Sequence, residues 1–391
     1  MMQAPFSVYV HVPFCAQKCP YCDFNTYAVE KAPESEYVAA VCKELEGYGT
    51  RGVFAGRSVR TIFFGGGTPS LFSGESIRTI VQCIATQFGI DSDAEITLEA
   101  NPNHADADRL PAFRDAGVNR ISFGVQSFHE KYLQLLGRNH SVDEARQAVV
   151  RAHDAGIHDI SVDLIYGVPG QSLSELTSEL HAACDLPITH LSTYSLTIEP
   201  GTPFFQRQER GLLRLPPDER IAEMLDFIPT ELARRGLKRY EISNYAHEGR
   251  DSKHNTVYWT GGDYLGVGAG AHSYVATYSP QGMLESAERW STLALPASYI
   301  QGVRDGASVS WREPLEPRAL MFEFFYLGLR RTSGVTRSRY NELFGMAAFE
   351  HYVPVLQELA HEGFIVLDDD AITLTTRGIA VADSVFERLS G

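Results

Sequence analysis

At 391 residues and 44% hydrophobic content, the chain is long enough for two or three domains with real cores and too apolar to be disordered. Its net charge of −15, from 49 acidic against 34 basic residues, argues against a broad nucleic-acid surface, which would be basic. No apolar run approaches the ~20 residues of a membrane span. No signal peptide is recognisable either, so a cytoplasmic location is expected, with transient association with a membrane surface left open.

In chain order, β-type runs fall at Ser7–Val12, Val59–Phe64, Glu95–Leu98, Arg120–Val125, Ile160–Ile165 and Leu191–Leu196. Amphipathic stretches with apolar residues at three- and four-residue steps lie between and after them. They are Glu36–Leu45, Glu75–Phe88, Asp106–Ala116, Val142–Ala155, Ser174–Ala183 and Pro217–Arg235. Regular β-then-α alternation implies parallel strands with right-handed crossovers. Six such units over residues 1–235 predict a partial (β/α)6 barrel of the TIM type; a doubly wound sheet has the same local pattern. Residues 236–310 are expected to be a barrel extension and linker, because Pro, Gly and Ser cluster between Ser279 and Ser310. Residues 311–391 change character. Helices over Leu320–Leu329, Arg339–Leu343 and Phe349–Glu362, then a hairpin of Phe364–Leu367 and Ile372–Thr375, predict a mainly helical, winged-helix-like domain. The acidic hairpin tip, Asp368-Asp369-Asp370, argues for packing or partner binding over DNA binding.

The most informative motif follows the first strand: Cys15-Ala-Gln-Lys-Cys19-Pro-Tyr-Cys22. A [4Fe–4S] cluster takes one thiolate per iron, so three clustered cysteines with no obvious fourth leave one iron open to a small molecule. Other chemistries weigh less. Zinc needs four ligands, which His11 could complete. Cys19-Pro-Tyr-Cys22 alone reads as a C-x-x-C redox pair, but Cys15 then has no role. Cys42, Cys83 and Cys184 are scattered in helix-like segments and read as inert thiols. Strand ends carry further polar or flexible residues: Gly65-Gly66-Gly67-Thr68-Pro69, Glu99, Gln126 and Asp163, with Arg138 in the loop after Gln126. Barrels gather ligands at the C-terminal ends of strands, and a polar side chain there is costly without a partner. Carboxylates, a guanidinium and glycine backbone together suit a zwitterionic nucleoside. The run Gly266-Val-Gly-Ala-Gly-Ala-His272 lacks the dinucleotide pattern and reads as a tightly packed turn.

The cysteine spacing, with Tyr9-Val-His-Val-Pro-Phe14 before it, resembles the radical S-adenosylmethionine (SAM) family. Gly65-Gly-Gly-Thr-Pro, Gly124-Val-Gln-Ser-Phe, Asp163-Leu-Ile-Tyr-Gly and the C-terminal module are similar to the oxygen-independent coproporphyrinogen III oxidase group over nearly the whole chain. The resemblance implies that Cys15, Cys19 and Cys22 hold a [4Fe–4S] cluster, that Gly66, Gly67, Thr68, Glu99, Gln126, Arg138 and Asp163 contact SAM, and that Tyr9 lies beside it. One departure matters. The oxidases carry another cysteine two residues after the third ligand, where this chain has Phe24. That departure, and the run His254-Asn-Thr-Val-Tyr258-Trp259, resemble the haem chaperone branch of the group, in which the histidine is associated with haem binding. The resemblance therefore implies haem as a third cofactor, held by His254, and delivery of haem to apo-haemoproteins, with a reductant for the cluster. Whether SAM is cleaved stays open. The rival reading is the oxidase itself, and a zinc-stabilised regulatory module is a distant third.

Overall fold

The computed structural model describes residues 4–50, 52–104 and 109–390. The chain opens with β1 (Phe6–Val12), two short strands, β2 (Phe14–Cys15) and β3 (Tyr27–Ala28), and α1 (Glu34–Thr50). Then follow β4 (Val59–Gly66), α2 (Gly74–Phe88), β5 (Ile90–Ala100), α3 (Arg109–Asp115), β6 (Arg120–Gln126), α4 (Glu130–Leu135), α5 (Val142–Asp154), β7 (Asp159–Tyr166), α6 (Leu173–Cys184), β8 (His190–Ser195), α7 (Pro203–Glu209) and α8 (Asp218–Ala233). β1, β4, β5, β6, β7 and β8 are parallel neighbours in that order. This is the expected partial (β/α)6 barrel. Among the described residues its sheet runs from a strand at Val309–Leu315 at one end to one at Lys238–Arg239 at the other and does not close.

Period-two alternation explains how each strand serves two environments. In β1, Val8, Val10 and Val12 are fully buried against α1 and α2, in a core shared with Ile77, Ile80 and Ile84. Ser7, Tyr9 and His11 alternate with them and face the barrel interior, where Ser7 accepts a hydrogen bond from Thr61 and Tyr9 meets His11. A second core, around Ile121, Phe123, Val162 and Leu191, fills the other half under α5, α6 and α8. Each fully buried side chain of this kind stabilises by roughly 1.5–3 kcal/mol. Two helices start with reciprocal caps: Ser141 with Glu144 on α5, and Ser172 with Glu175 on α6. A lost cap of this type costs about 1 kcal/mol. The helix expected over Asp106–Ala116 is present as α3; residues 106–108 lie outside the described residues.

Residues 236–310, expected as an extension and linker, extend the sheet at both edges. β9 (Lys238–Arg239) and β10 (Asn244–Ala246) add antiparallel to β8. α9 (Lys253–Trp259) carries the His254 motif, and β11 (Tyr264–Val267) returns to pair parallel with β1. β12 (His272–Tyr278), β13 (Leu284–Thr292) and, after α10 (Pro296–Asp305), β14 (Val309–Leu315) continue antiparallel. The Pro- and Gly-rich stretch is therefore largely structured.

The C-terminal unit comprises α11 (Pro317–Gly328), β15 (Val335–Thr336), α12 (Arg337–Phe344), α13 (Met346–Glu350), α14 (Val353–His361), β16 (Ile365–Leu367), β17 (Ala371–Leu374), α15 (Thr376–Ala380) and α16 (Ala382–Ser390). The single helix expected over Phe349–Glu362 is two. Pro354 is tolerated in the first turn of α14, so a fresh helix begins there. β15, β17 and β16 form a three-stranded sheet. At the exposed acidic hairpin tip, Asp370 accepts from the Ser338 amide at 2.7 Å and from its hydroxyl at 2.8 Å, capping the start of α12. Arg330 lies over the Trp259 ring, 5.1 Å from its centroid, and so joins α9 to this unit.

Candidate functional site

The cysteine loop leaves the C-terminal end of β1 and is pinned at both ends. Phe14 and Cys15 pair with Tyr27 and Ala28 as β2 and β3. Between them, the Asn25 carbonyl accepts from His11 Nε2 at 3.0 Å, and the Asn25 amide donates to the carbonyls of Ala269 and Ala294. The glycine turn after β4 fits beneath this loop because it has no side chains. Gly66 has φ +109°, and a Cβ there would sit 2.4 Å from the His11 ring; a Cβ on Gly67 would meet the Phe14 carbonyl oxygen at 2.6 Å. The Gly67 and Thr68 amides donate to Val12 and Phe14.

Cys15, Cys19 and Cys22 line one cavity of about 160 Å³, together with Gly66, Gly67, Thr68, Glu99, Gln126, Arg138 and Asp163. The sequence-chosen residues therefore converge from five successive parallel strands and the loops that follow them. Tyr9 lines a neighbouring cavity that shares Gly66, Glu99 and Phe24 with the first. Thr68 donates to Cys15 Sγ at 3.5 Å, and an Arg138 guanidinium nitrogen donates to Cys19 Sγ at 3.2 Å. Burial raises Cys15 and Cys22 above the ordinary thiol range, so ligation there releases protons. Among the described residues, no three His, Cys, Asp or Glu side chains converge on a single-ion site. A cluster that takes one thiolate per iron does not require such convergence.

Glu99 and Asp163 both line the cavity and are buried. Burial first, then the Asp163 charge, raises Glu99 to about 7, although its Oε2 accepts from the Gly66 amide at 3.1 Å. Burial likewise raises Asp163, which accepts from Ser122 at 3.2 Å. Two buried carboxyls with raised pKa values favour a cationic partner. Arg138 is held by the Gly124 carbonyl at 2.7 Å and by Asn101, while its Nε is buried without a partner. An orphaned guanidinium N–H beside raised carboxyls fits a ligand bearing both an ammonium and a carboxylate. Gln126 ends β6 with φ 69°, a left-handed value rare outside glycine, at a register shift against β7. Asn101, which bridges Thr68 and Arg138, was missed; its signal was its place two residues after Glu99.

His254 lies apart from the thiol cavity. It is 1% exposed, inside the barrel. Its Nδ1 meets the Thr61 hydroxyl at 2.7 Å and its Nε2 the Tyr258 hydroxyl at 2.9 Å, while the ring stacks on Phe63. Thr61 donates onward to Ser7, so Nδ1 carries the proton and Nε2 accepts from Tyr258. Burial, then Arg120, lowers its pKa to about 3, so the ring is neutral. With both nitrogens engaged and no surface on either cavity, the ring as placed does not present itself to a haem iron. The glycine run before His272 is packed tightly, as expected: a Cβ on Gly266 would meet the His272 carbonyl oxygen at 2.0 Å.

Residues 9–182 match the Radical SAM superfamily and residues 315–381 the HemN C-terminal domain. The structure superposes on Escherichia coli coproporphyrinogen III oxidase, HemN, with a TM-score of 0.81 at 22% identity, covering 99% of this chain and 90% of that one. Fold and sequence together define a radical SAM protein, a class whose domain implies SAM and a [4Fe–4S] cluster.

Within that class, the chain is 36% identical over 393 residues to Heme chaperone HemW of Bacillus subtilis, covering 98% of this chain and 99% of the relative. It is 36% identical over 384 residues to Heme chaperone HemW of Escherichia coli, covering 98% and 97%. It is 35% identical over 389 residues to the mitochondrial radical S-adenosyl methionine domain-containing protein 1 of Bos taurus, covering 97% and 86%. The chain belongs to the HemW family. No helix among the described residues is long and apolar enough to cross a membrane.

Proposed function

We propose that this chain is a haem chaperone: it binds haem, carries a SAM-ligated [4Fe–4S] cluster and delivers haem to apo-haemoproteins. The observation that carries the reading is the match, over nearly the whole of both chains, to proteins named haem chaperones. Phe24 supports it. This side chain stands where the oxidases carry a further cysteine, is 65% exposed, and borders both cavities. An apolar ring there suits a flat hydrophobic cargo.

In this reading Cys15, Cys19 and Cys22 hold the cluster, which, when bound, supplies an open iron for the amino and carboxylate groups of SAM and an electron from an external reductant. Glu99 and Asp163 face the amino and ribose side of SAM, and Arg138 lies toward its carboxylate. Gly66 and Gly67 let the backbone approach, Thr68 and Gln126 close the cavity around the ligand, and Tyr9 stands beside it in the adjoining cavity. His254 contributes from inside the barrel, through Tyr258.

The test is anaerobic reconstitution, assaying one preparation for haem binding, haem transfer to an apo-haemoprotein and coproporphyrinogen turnover. Haem binding and transfer without turnover is the expected result. Turnover to protoporphyrinogen without haem transfer would return the chain to the oxidases, whose fold it shares.

A further inference from the structure

The cavity adjoining the thiol cavity has a volume of about 430 Å³ and aromatic walls: Tyr9, Tyr258, Tyr264 and Phe24. It shares Gly66, Glu99 and Phe24 with the thiol cavity, so a molecule seated in it lies against whatever fills the cluster site. Three imidazoles are near it, and they differ in one respect. His11 has both nitrogens engaged, Nδ1 with the Tyr9 hydroxyl and Nε2 with the Asn25 carbonyl, each at 3.0 Å. His254 has both engaged as well and does not reach the cavity. His272, at the start of β12, lines the cavity and is exposed. It has no hydrogen-bond partner on either nitrogen among the described residues. Its ring stands edge-on to Trp311, with centroids 5.6 Å apart.

We propose that haem is loaded into this second cavity and that His272, not His254, supplies the imidazole that ligates its iron. The inference rests on the chaperone reading and specifies where the cargo sits. A neutral imidazole with a free lone pair is the ligating form, and partial burial with nearby Arg289 lowers the pKa of His272, keeping it neutral at physiological pH. The walls supply flat apolar surface for a porphyrin face. His254 acts as a positioning residue: its Nε2 holds the Tyr258 hydroxyl, and the Tyr258 ring forms a wall of the cavity. The cleft between β12 and the C-terminal unit, about 300 Å³, has aromatic walls and Arg331 and Arg339, but no imidazole, thiol or thioether to meet an iron.

The experiment is haem titration of the cluster-reconstituted full chain, read by the Soret band and by electron paramagnetic resonance of the ferric complex. Wild type, His272→Gly, His272→Gln and His254→Ala are compared, with circular dichroism on each. Expected for both His272 variants is loss of the histidine-ligand signature and affinity weakened by about tenfold or more. Added imidazole restores the signature in His272→Gly, because the vacated space admits it. His254→Ala, which loosens the Tyr258 wall, weakens binding but keeps the signature. If the His272 variants keep the wild-type spectrum while His254→Ala loses it, the iron ligand is His254 and the inference falls, leaving the chaperone reading intact. If wild type with a verified cluster binds no haem, the chaperone reading falls and the inference with it.

Discussion

Glu44 is a buried acid in a structural position, and its replacement by glutamine makes a sharp test. It lies on α1, 6% exposed, accepting from the Gly268 amide at 3.1 Å and the Tyr299 hydroxyl at 2.6 Å. It thereby ties α1 and α10 to the glycine turn that leads to His272. Burial outweighs those two donations and raises its pKa from 4.5 to about 7. The folded state therefore holds the proton more tightly than the unfolded chain does. The stability this contributes is fully present below about pH 4.5 and is lost as pH rises through about 7. A shift of roughly two and a half units corresponds to about 3 kcal/mol at ~1.4 kcal/mol per unit, an order-of-magnitude figure. Glu44→Gln preserves the shape and an acceptor oxygen but cannot ionise. The assay is denaturant unfolding of both proteins at pH 5, 6, 7 and 8, taking the difference at each pH so that all other titrating groups cancel. The two should be of similar stability at pH 5, and the variant should gain on wild type by up to about 3 kcal/mol by pH 8. A difference that stays flat with pH, or a wild type that gains on the variant as pH rises, would refute the reasoning.

The cavity itself yields three further tests. Glu99 ionises near pH 7, so SAM affinity of the wild type should rise between pH 6 and 8 as the carboxylate forms beside the cationic sulfonium ligand. Glu99→Gln should flatten that rise and weaken binding at pH 8 by roughly tenfold, as measured by calorimetry on reconstituted protein. Gly66→Ala should cost about 1–3 kcal/mol and reduce iron retention, because its Cβ would enter the His11 ring and its φ of +109° disfavours any side chain. Unchanged stability and full iron content would contradict the packing described. Gln126→Gly should leave Tm equal or higher, by relieving the left-handed φ of 69°, while weakening SAM binding; a lower Tm would mean that the side chain's contacts outweigh its backbone strain.

The six barrel strands and their helices were legible in the sequence because each follows from local periodicity: Val8, Val10 and Val12 alternate, and Ile77, Ile80, Val81 and Ile84 recur along α2. The thiols and the residues at the strand ends were legible for a related reason, since a polar side chain closing an apolar run marks the mouth of a barrel wherever the strand lies in space. Pro354 shows the limit of periodicity, which continues across a helix break that the backbone cannot bridge. Tertiary structure alone decided the rest. The return of β11 to pair with β1, the seating of His254 against Thr61, and the meeting of Phe24 with His272 across one cavity all join segments far apart in the chain. A periodic pattern tells which face of an element is buried, but not whether a buried ring will find hydroxyls for both of its nitrogens, and here those contacts separate a sequestered imidazole from one open to a ligand.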